Sequence, residues 1–418
     1  MSNKQYSIPR VLIGIALLIA AGYVTYSYLQ SQRPDVPVEQ VLTPLEYTPL
    51  EGEDAPECVP VPEAPNAHGT QGMKVWTGAD LRTFTHGGDV ICVPDGWEAV
   101  GAARAGEGWA YFPPTQGGVV VRTDAFERRV DAYENTPFPV IVVSPTALPA
   151  EVREANDAMI ERAFVKVGAL YPQMPAKLSG PVAVLVTAGV AGGTRSRDTR
   201  VYPEPGINLL TLVRSPDQSR AEELFVHAVA HLYNRHRPYF RYEQVKPPFP
   251  VPLPDWEELV ATWTETAFVS RHDWRMKRLE YLMNVHAAVH SGDFARIEAP
   301  PFDDRDEFDS ITPDVIVKRG APGIDYQYGH YILAPLSMVA VQGLLMQLAE
   351  AGTIEPTSVE QLLAEVHGDE HPSFFHALEE LLPTEEEERI HGWMHGGQPI
   401  PEELVRKAAE HYRALNES

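Results

Sequence analysis

From Val11 to Tyr28 the chain runs through eighteen residues of almost unbroken apolar character, and no charge falls between Arg10 and Arg33. That is about the minimum length for one transmembrane helix, so residues 11–30 are expected to anchor the protein. Lys4 and Arg10 flank the near end, and Tyr23, Tyr26 and Tyr28 sit at the far end, where amphipathic rings favour the interface. The expected placement is therefore membrane, single-pass, with residues 1–10 cytoplasmic and the C-terminal body outside. A cleaved signal peptide is the rival reading, although no A-x-A-like site closes the stretch. Residues 31–68 change character. Within 31–66 stand eight prolines and eight acids against the single Arg33, a composition that cannot bury enough apolar surface to fold alone and reads as a linker. Over 69–145 the pattern becomes short β-type runs (MKVWTG, LRTFTH, DVICVP, GWAYF, GGVVVRT, FPVIVVSP) parted by Gly, Pro and Asp turns. A small β-rich domain is expected there.

The remainder, 146–418, mixes helix and strand. Ala150 to Tyr171 has helical spacing, Pro181 to Ala188 and Ile207 to Arg214 read as strands, and Ser215, Pro216 and Gln218 form the start signals of a helix. In that helix Ala221, Leu224, Phe225, Ala228, Val229 and Leu232 make one apolar stripe. Beyond Gly352, helices are predicted at Thr357 to Val366, Pro372 to Leu382 and Glu402 to Leu415. The fold class is α+β.

Composition narrows the functions. Of 418 residues, 44% are apolar and 22% charged, the balance of a globular chain. Fifty-eight acids against thirty-four Lys and Arg leave a net charge of −24, which repels phosphate backbones, so no nucleic-acid partner is expected. The two cysteines, Cys58 and Cys92, exclude a four-cysteine metal site but can pair with each other. No G-x-S-x-G, Walker or dinucleotide glycine pattern is present.

Histidine carries the chemistry. Four pairs stand at i and i+4: His227/His231, His286/His290, His367/His371 and His391/His395. Two imidazoles one helical turn apart can bind one zinc ion, with a third protein ligand leaving the fourth position for water. The last two pairs are expected to be solvated, and His286 and His290 to be partly buried structural residues. The first pair differs in its surroundings. A strand, INLLTLVR, precedes it, and a second helix follows with Glu257 and Glu258 in PDWEELVATWTE.

At this point the sequence resembles the gluzincin metallopeptidases, the thermolysin-like and aminopeptidase-like zinc enzymes whose motif is HExxH followed by a glutamate on the next helix. HAVAH and WEELVATW carry the likeness, and YQYGHYILAPL (326–336) is similar to the Tyr-Gly segment that follows in the same group. The resemblance spans about residues 150–380. It implies a gluzincin-like mixed α/β domain completed by C-terminal helices, zinc as cofactor, and a peptide or protein as substrate or ligand. Aligning Ala261 and Trp263 with the family pattern implies a ligand set of His227, His231 and Glu258. Tyr328 and His330 would donate to a developing oxyanion.

Three departures bear on activity. Ala228 stands where the family has the glutamate that deprotonates the zinc-bound water, and such acid–base help is worth about 10²–10⁴-fold. The loop between His231 and Glu258 is long, and proline-rich. Thr262 occupies a position where some members carry an acid that orients a zinc histidine. Glu223, one turn before His227, is a candidate substitute base, though an acid in an early turn also suits the helix dipole. Glu258 likewise has a plainer alternative, closing a D-x-x-E capping pattern with Asp255. Two functions follow: a zinc peptidase weakened or silenced by Ala228, or a non-catalytic binding module that keeps the fold, with or without metal.

Overall fold

The computed structural model describes residues 57–60, 80–84, 90–102, 104–112, 118–136, 138–172, 182–187, 208–213, 218–234, 256–293, 332–368, 370–371, 373–394 and 398–417. The chain divides into residues 1–46 and 47–418. The first unit lies outside the described residues, and the following concerns the second.

Short strands with turn residues between them pair locally. Val59–Pro60 (β1), Val90–Cys92 (β3), Arg104–Gly106 (β5) and Trp109–Tyr111 (β6) form a sheet in the order β1-β3-β6-β5. Leu81–Phe84 (β2), Trp97–Val100 (β4) and Gly118–Arg122 (β7) form another in the order β2-β7-β4. Gly106 pairs with Trp109, so Glu107 and Gly108 alone turn the chain between β5 and β6, and the φ of 74° at Gly108 is one that glycine adopts without strain.

Cys58 and Cys92 are joined by a disulfide, with Cα atoms 5.0 Å apart and a separation of 34 positions in sequence. The bond staples β1 onto β3, where Val59 pairs with Ile91. A two-residue strand has little to hold it otherwise. Closing a loop of that length removes unfolded-chain entropy worth about 3–4 kcal/mol. Reduction, or replacement of both cysteines by serine, is expected to lower stability by about that amount, read as a shift of the denaturant midpoint at unchanged slope.

Phe126–Asp131 (β8), Val140–Pro145 (β9), Val182–Thr187 (β10) and Asn208–Val213 (β11) make a mixed sheet in the order β11-β10-β9-β8, with β8 antiparallel to β9 and the other pairs parallel. β9 and β10 are apolar without alternation because both of their faces are covered, whereas β8 (FERRVD) is partly exposed. Val140, Val142, Val182 and Val184 join the helical core, while Ile141, Val143, Ala183 and Leu185 pack on Val100, Val119 and Val121 of the β2-β7-β4 sheet.

Nine helices are described. They are Ala150–Ala169 (α1), Gln218–Asn234 (α2), Trp256–Ala267 (α3), His272–Ser291 (α4), Ala334–Glu350 (α5), Val359–His367 (α6), Phe374–Leu381 (α7), Thr384–Met394 (α8) and Glu402–Glu417 (α9). α5 is buried on nearly every side for its first three turns. Gly343 lets α9 approach it, since a Cβ there would meet the Leu404 carbonyl oxygen at 2.0 Å. The last helix also fixes α3, where Trp263 Nε1 donates to Tyr412 Oη at 3.0 Å and Asn416 Nδ2 donates to the Ala267 carbonyl at 2.8 Å. Arg275 completes that end by donating to the Thr266 carbonyl at 2.9 Å, so carbonyls left over at the helix terminus have partners.

Two expectations are corrected here. Among the described residues no helix is long and apolar enough to cross a membrane, and the stretch Val11–Tyr28 lies outside them. The reason is visible in the helices themselves. α1 and α4 have the length but carry charged residues in successive turns, such as Glu154, Asp157, Glu161 and Arg162. α5 is apolar on most sides but has 17 residues, short of the ~20 a span needs, and protein covers it. Among the described residues the fold is α+β with no spanning helix, so the expected anchor, the single-pass placement and the membrane as partner are not supported. The second correction is His367, expected to be solvated. It is fully buried, donates from Nδ1 to the Leu170 carbonyl at 2.5 Å and stacks on Tyr171 with ring centroids 4.0 Å apart. Four-residue spacing says nothing of which helix face another segment will cover.

His286 is 4% exposed and accepts from the Ile400 backbone N–H at 3.2 Å, tying α4 to the segment before α9. Burial, with a smaller contribution from His290, pushes its pKa down to about 3. Between that value and the ordinary ~6.5 the unfolded chain takes up a proton that the folded chain refuses, so stability is full above pH 6.5 and falls as pH drops. The slope from this one residue is at most about 1.4 kcal/mol per pH unit. His286→Gln, which keeps an acceptor for Ile400, is expected to flatten the urea-midpoint profile between pH 7 and 5.

Candidate functional site

α2 is held in place at both ends before it offers any chemistry. Near its start Glu222 accepts from Arg162 Nη2 at 2.9 Å, from Ser270 N at 3.0 Å and from Ser270 Oγ at 2.6 Å, which ties it to α1 and to the turn between α3 and α4. Phe225 meets Phe164 edge-on at 6.2 Å, and Tyr233 stacks on Tyr171 at 5.0 Å. Ser215, the expected cap, lies outside the described residues, and the helix is seen from Gln218. The predicted apolar stripe is real but understates the burial, because Val226, Ala230 and Tyr233 off the stripe are covered as well.

Between the two anchored ends His227 and His231 remain only partly covered. Their rings meet edge-on with centroids 4.5 Å apart, and their Nε2 atoms converge to 2.8 Å. On the other side of the His227 ring, Nδ1 lies 2.6 Å from Glu265 Oε1. A carboxylate at that nitrogen favours the tautomer with the proton on Nδ1, which turns the Nε2 lone pair toward His231. With that tautomer, His231 Nε2–H is the donor across the 2.8 Å contact.

The donor set fits a divalent cation on two counts. Both Nε2 atoms already point to one place, and zinc at 2.0–2.1 Å from each would set tetrahedral nitrogens about 3.3–3.4 Å apart, a small opening of the present pair. Glu265 contacts Arg278 as well as His227, and Arg278 also bonds Glu223. The buried carboxylate of Glu265 thus stands directly behind one imidazole, and a negative group at that place favours a cation at the other ring nitrogen. Among the described residues, however, no group of three or more His, Cys, Asp and Glu is placed to hold a metal ion. The third candidate ligand, Glu258, lies in the first turn of α3, and its side chain is outside those described. Residue 258 is seven before Glu265 and shares its helix face to within about 20°, whereas residue 257 is turned away by about 80°.

The other predicted positions sort as follows. Ala228 is 1% exposed and belongs to the helical core. Glu223 is 0% exposed, with Oε1 accepting from Arg278 Nη1 at 2.9 Å. Thr262 is buried and donates to the Leu259 carbonyl at 3.2 Å, within its own helix. Tyr328 and His330 lie outside the described residues. The acid beside His227 is therefore Glu265, one turn beyond Thr262. Its seven-residue spacing from Glu258 was a signal available in WEELVATWTE. Arg278 had none, because its partners stand 55 and 13 residues away.

No protein-family profile matches the sequence, and no curated protein matches it. Solved structures do, 74 chains in all. One is an M1 zinc metallopeptidase from Deinococcus radiodurans, 13% identical, with 78% of this chain and 73% of that chain covered at a TM-score of 0.38. Another is an aminopeptidase N family protein from Idiomarina loihiensis, 10% identical, with 65% of this chain and 47% of that chain covered at a TM-score of 0.35. The chain is similar to these zinc metallopeptidases and aminopeptidases in structure, at low identity and low superposition, so the chemistry of the site rests on its own side chains.

Proposed function

We propose that this chain is a gluzincin-like zinc-binding protein that takes peptides in the cleft beside α2 and hydrolyses them weakly or not at all. His227, His231 and Glu258 would hold the ion. The observation that carries the reading is the convergence of His227 and His231 Nε2 at 2.8 Å, with Glu265 behind His227 at 2.6 Å. Zinc bound there would supply Lewis-acid polarisation of a carbonyl and a more acidic water. The residues of the chain must do the rest.

At position 228 they lack the base that the gluzincin motif carries. Ala228 has no group to accept a proton, and neither buried acid near it makes good the loss: Glu223 is engaged by Arg278, and Glu265 by Arg278 and His227. Ala228 thus also favours a second reading, in which the cleft binds an extended peptide without cutting it. His227 and His231 favour metal binding in either reading, though the second does not require it. Elemental analysis of the unmutated chain purified with zinc present is expected to find one zinc per chain. None would end the metal reading and leave the histidine pair as a packed structural contact.

A further inference from the structure

Arg278, on α4, is 1% exposed and divides its guanidinium between two carboxylates from two other helices. Nη1 donates to Glu223 Oε1 on α2 at 2.9 Å, and Nη2 donates to Glu265 Oε2 on α3. The remaining oxygen of Glu265 faces His227 Nδ1 at 2.6 Å. The chain of contacts therefore runs Glu223, Arg278, Glu265, His227, and its three carboxylate and guanidinium members are fully or almost fully buried.

Stability alone is a poor account of this arrangement. Buried ion pairs carry a desolvation cost that their attraction often does no more than offset, and apolar residues of like volume frequently serve as well. Orientation is what the arrangement provides. With one oxygen on Arg278 and the other on His227, the Glu265 carboxylate cannot rotate without leaving a buried charge unpaired. Only a planar fork such as guanidinium reaches two acids in fixed directions, whereas an ammonium is a point charge. Glu223 does to Arg278 what Arg278 does to Glu265, and being one turn before His227 it refers the whole chain back to the helix that carries the metal-binding pair.

We propose that Arg278 and Glu223 are positioning residues for the metal site: they lock Glu265 so that His227 keeps its proton on Nδ1 and presents Nε2 toward His231. The inference rests on the metal reading for its purpose, but its geometry can be tested without metal. The test uses the full chain, unmutated and as Glu223→Gln and Arg278→Lys. Glu223→Gln keeps the volume of the side chain and guards against a failure of Arg278→Lys to fold, with near-ultraviolet circular dichroism as the check.

Two readouts are taken. In the metal-free chain labelled with ¹⁵N-histidine, His227 is identified by the signal lost in His227→Asn, and its tautomer is read by NMR. Cobalt(II) affinity and visible spectrum are then measured by titration. The expected results are an Nδ1–H tautomer in the unmutated chain, a tautomer mixture in folded variants, cobalt binding weaker by on the order of 10–100-fold, and a changed ligand-field spectrum. A purely structural role would move neither tautomer nor spectrum. The inference is overturned if His227 in the unmutated chain carries its proton on Nε2, or if folded variants keep both the wild-type tautomer and the wild-type cobalt affinity. Failure of the unmutated chain to take up cobalt or zinc would count against the metal reading instead, and the tautomer would still decide the clamp.

Discussion

Ala228→Glu is expected to create peptide hydrolysis that the unmutated protein shows weakly or not at all. The substitution puts a carboxylate one residue after His227 on α2, where the proposed gluzincin-like reading requires the base that accepts a proton from the attacking water. General acid–base assistance of that kind is worth about 10²–10⁴-fold, so a rate below detection can rise into the measurable range. The site imposes a cost. Ala228 is buried in the helical core, and lengthening its side chain into packed surroundings costs about 1–3 kcal/mol, which is tolerable for most folded domains. The new activity should vanish on chelation and on adding His227→Ala. A folded, zinc-loaded Ala228→Glu protein that cleaves nothing in a broad peptide library would sink the peptidase reading and leave the binding one.

His231→Ala is expected to abolish zinc retention through dialysis against buffer. Removing a first ligand should cost more than the 10–100-fold lost with an outer partner, because the geometry left behind is a single imidazole with one carboxylate. The substitution need not unfold the chain, since His231 is only partly buried and touches His227 through its Nε2 edge. Thermal melting without metal should therefore change little, while the rise in melting temperature that zinc gives the unmutated protein disappears. Equal zinc content in the unmutated and His231→Ala proteins would show that the metal, if any, sits elsewhere.

Much of the scaffold was legible because it depends on neighbours in sequence. The stripe through Ala221, Phe225, Val229 and Leu232 reports a helix packed on one side, and the spacing of His227 and His231 already places both rings on one face. The runs VAVLVT and VIVVSP read as strands. Proline and acid content does not show that Val59–Pro60, inside the stretch expected to be a linker, pairs with β3, because that strand and the Cys58–Cys92 bond depend on partners over thirty positions away. Contacts between distant segments were not legible. His367 was taken as solvated because nothing beside it in the chain announces Leu170 and Tyr171. Thr262 drew attention as the position of an orienting acid, when the acid that reaches His227 stands at Glu265.

Sequence alone determined the helical register of α2, the pairing of two imidazoles on it, the absence of an acid at position 228 and the alternation of helix and strand, all of which follow from periodicities of 3.6 and 2 residues and from residue chemistry. Tertiary structure decided what lies behind those imidazoles. Arg278 and Glu223 stand 55 residues apart, and they meet because α2, α3 and α4 pack around one core. A buried charge is intelligible only with its partners, and no local pattern can name a partner that the fold has to bring.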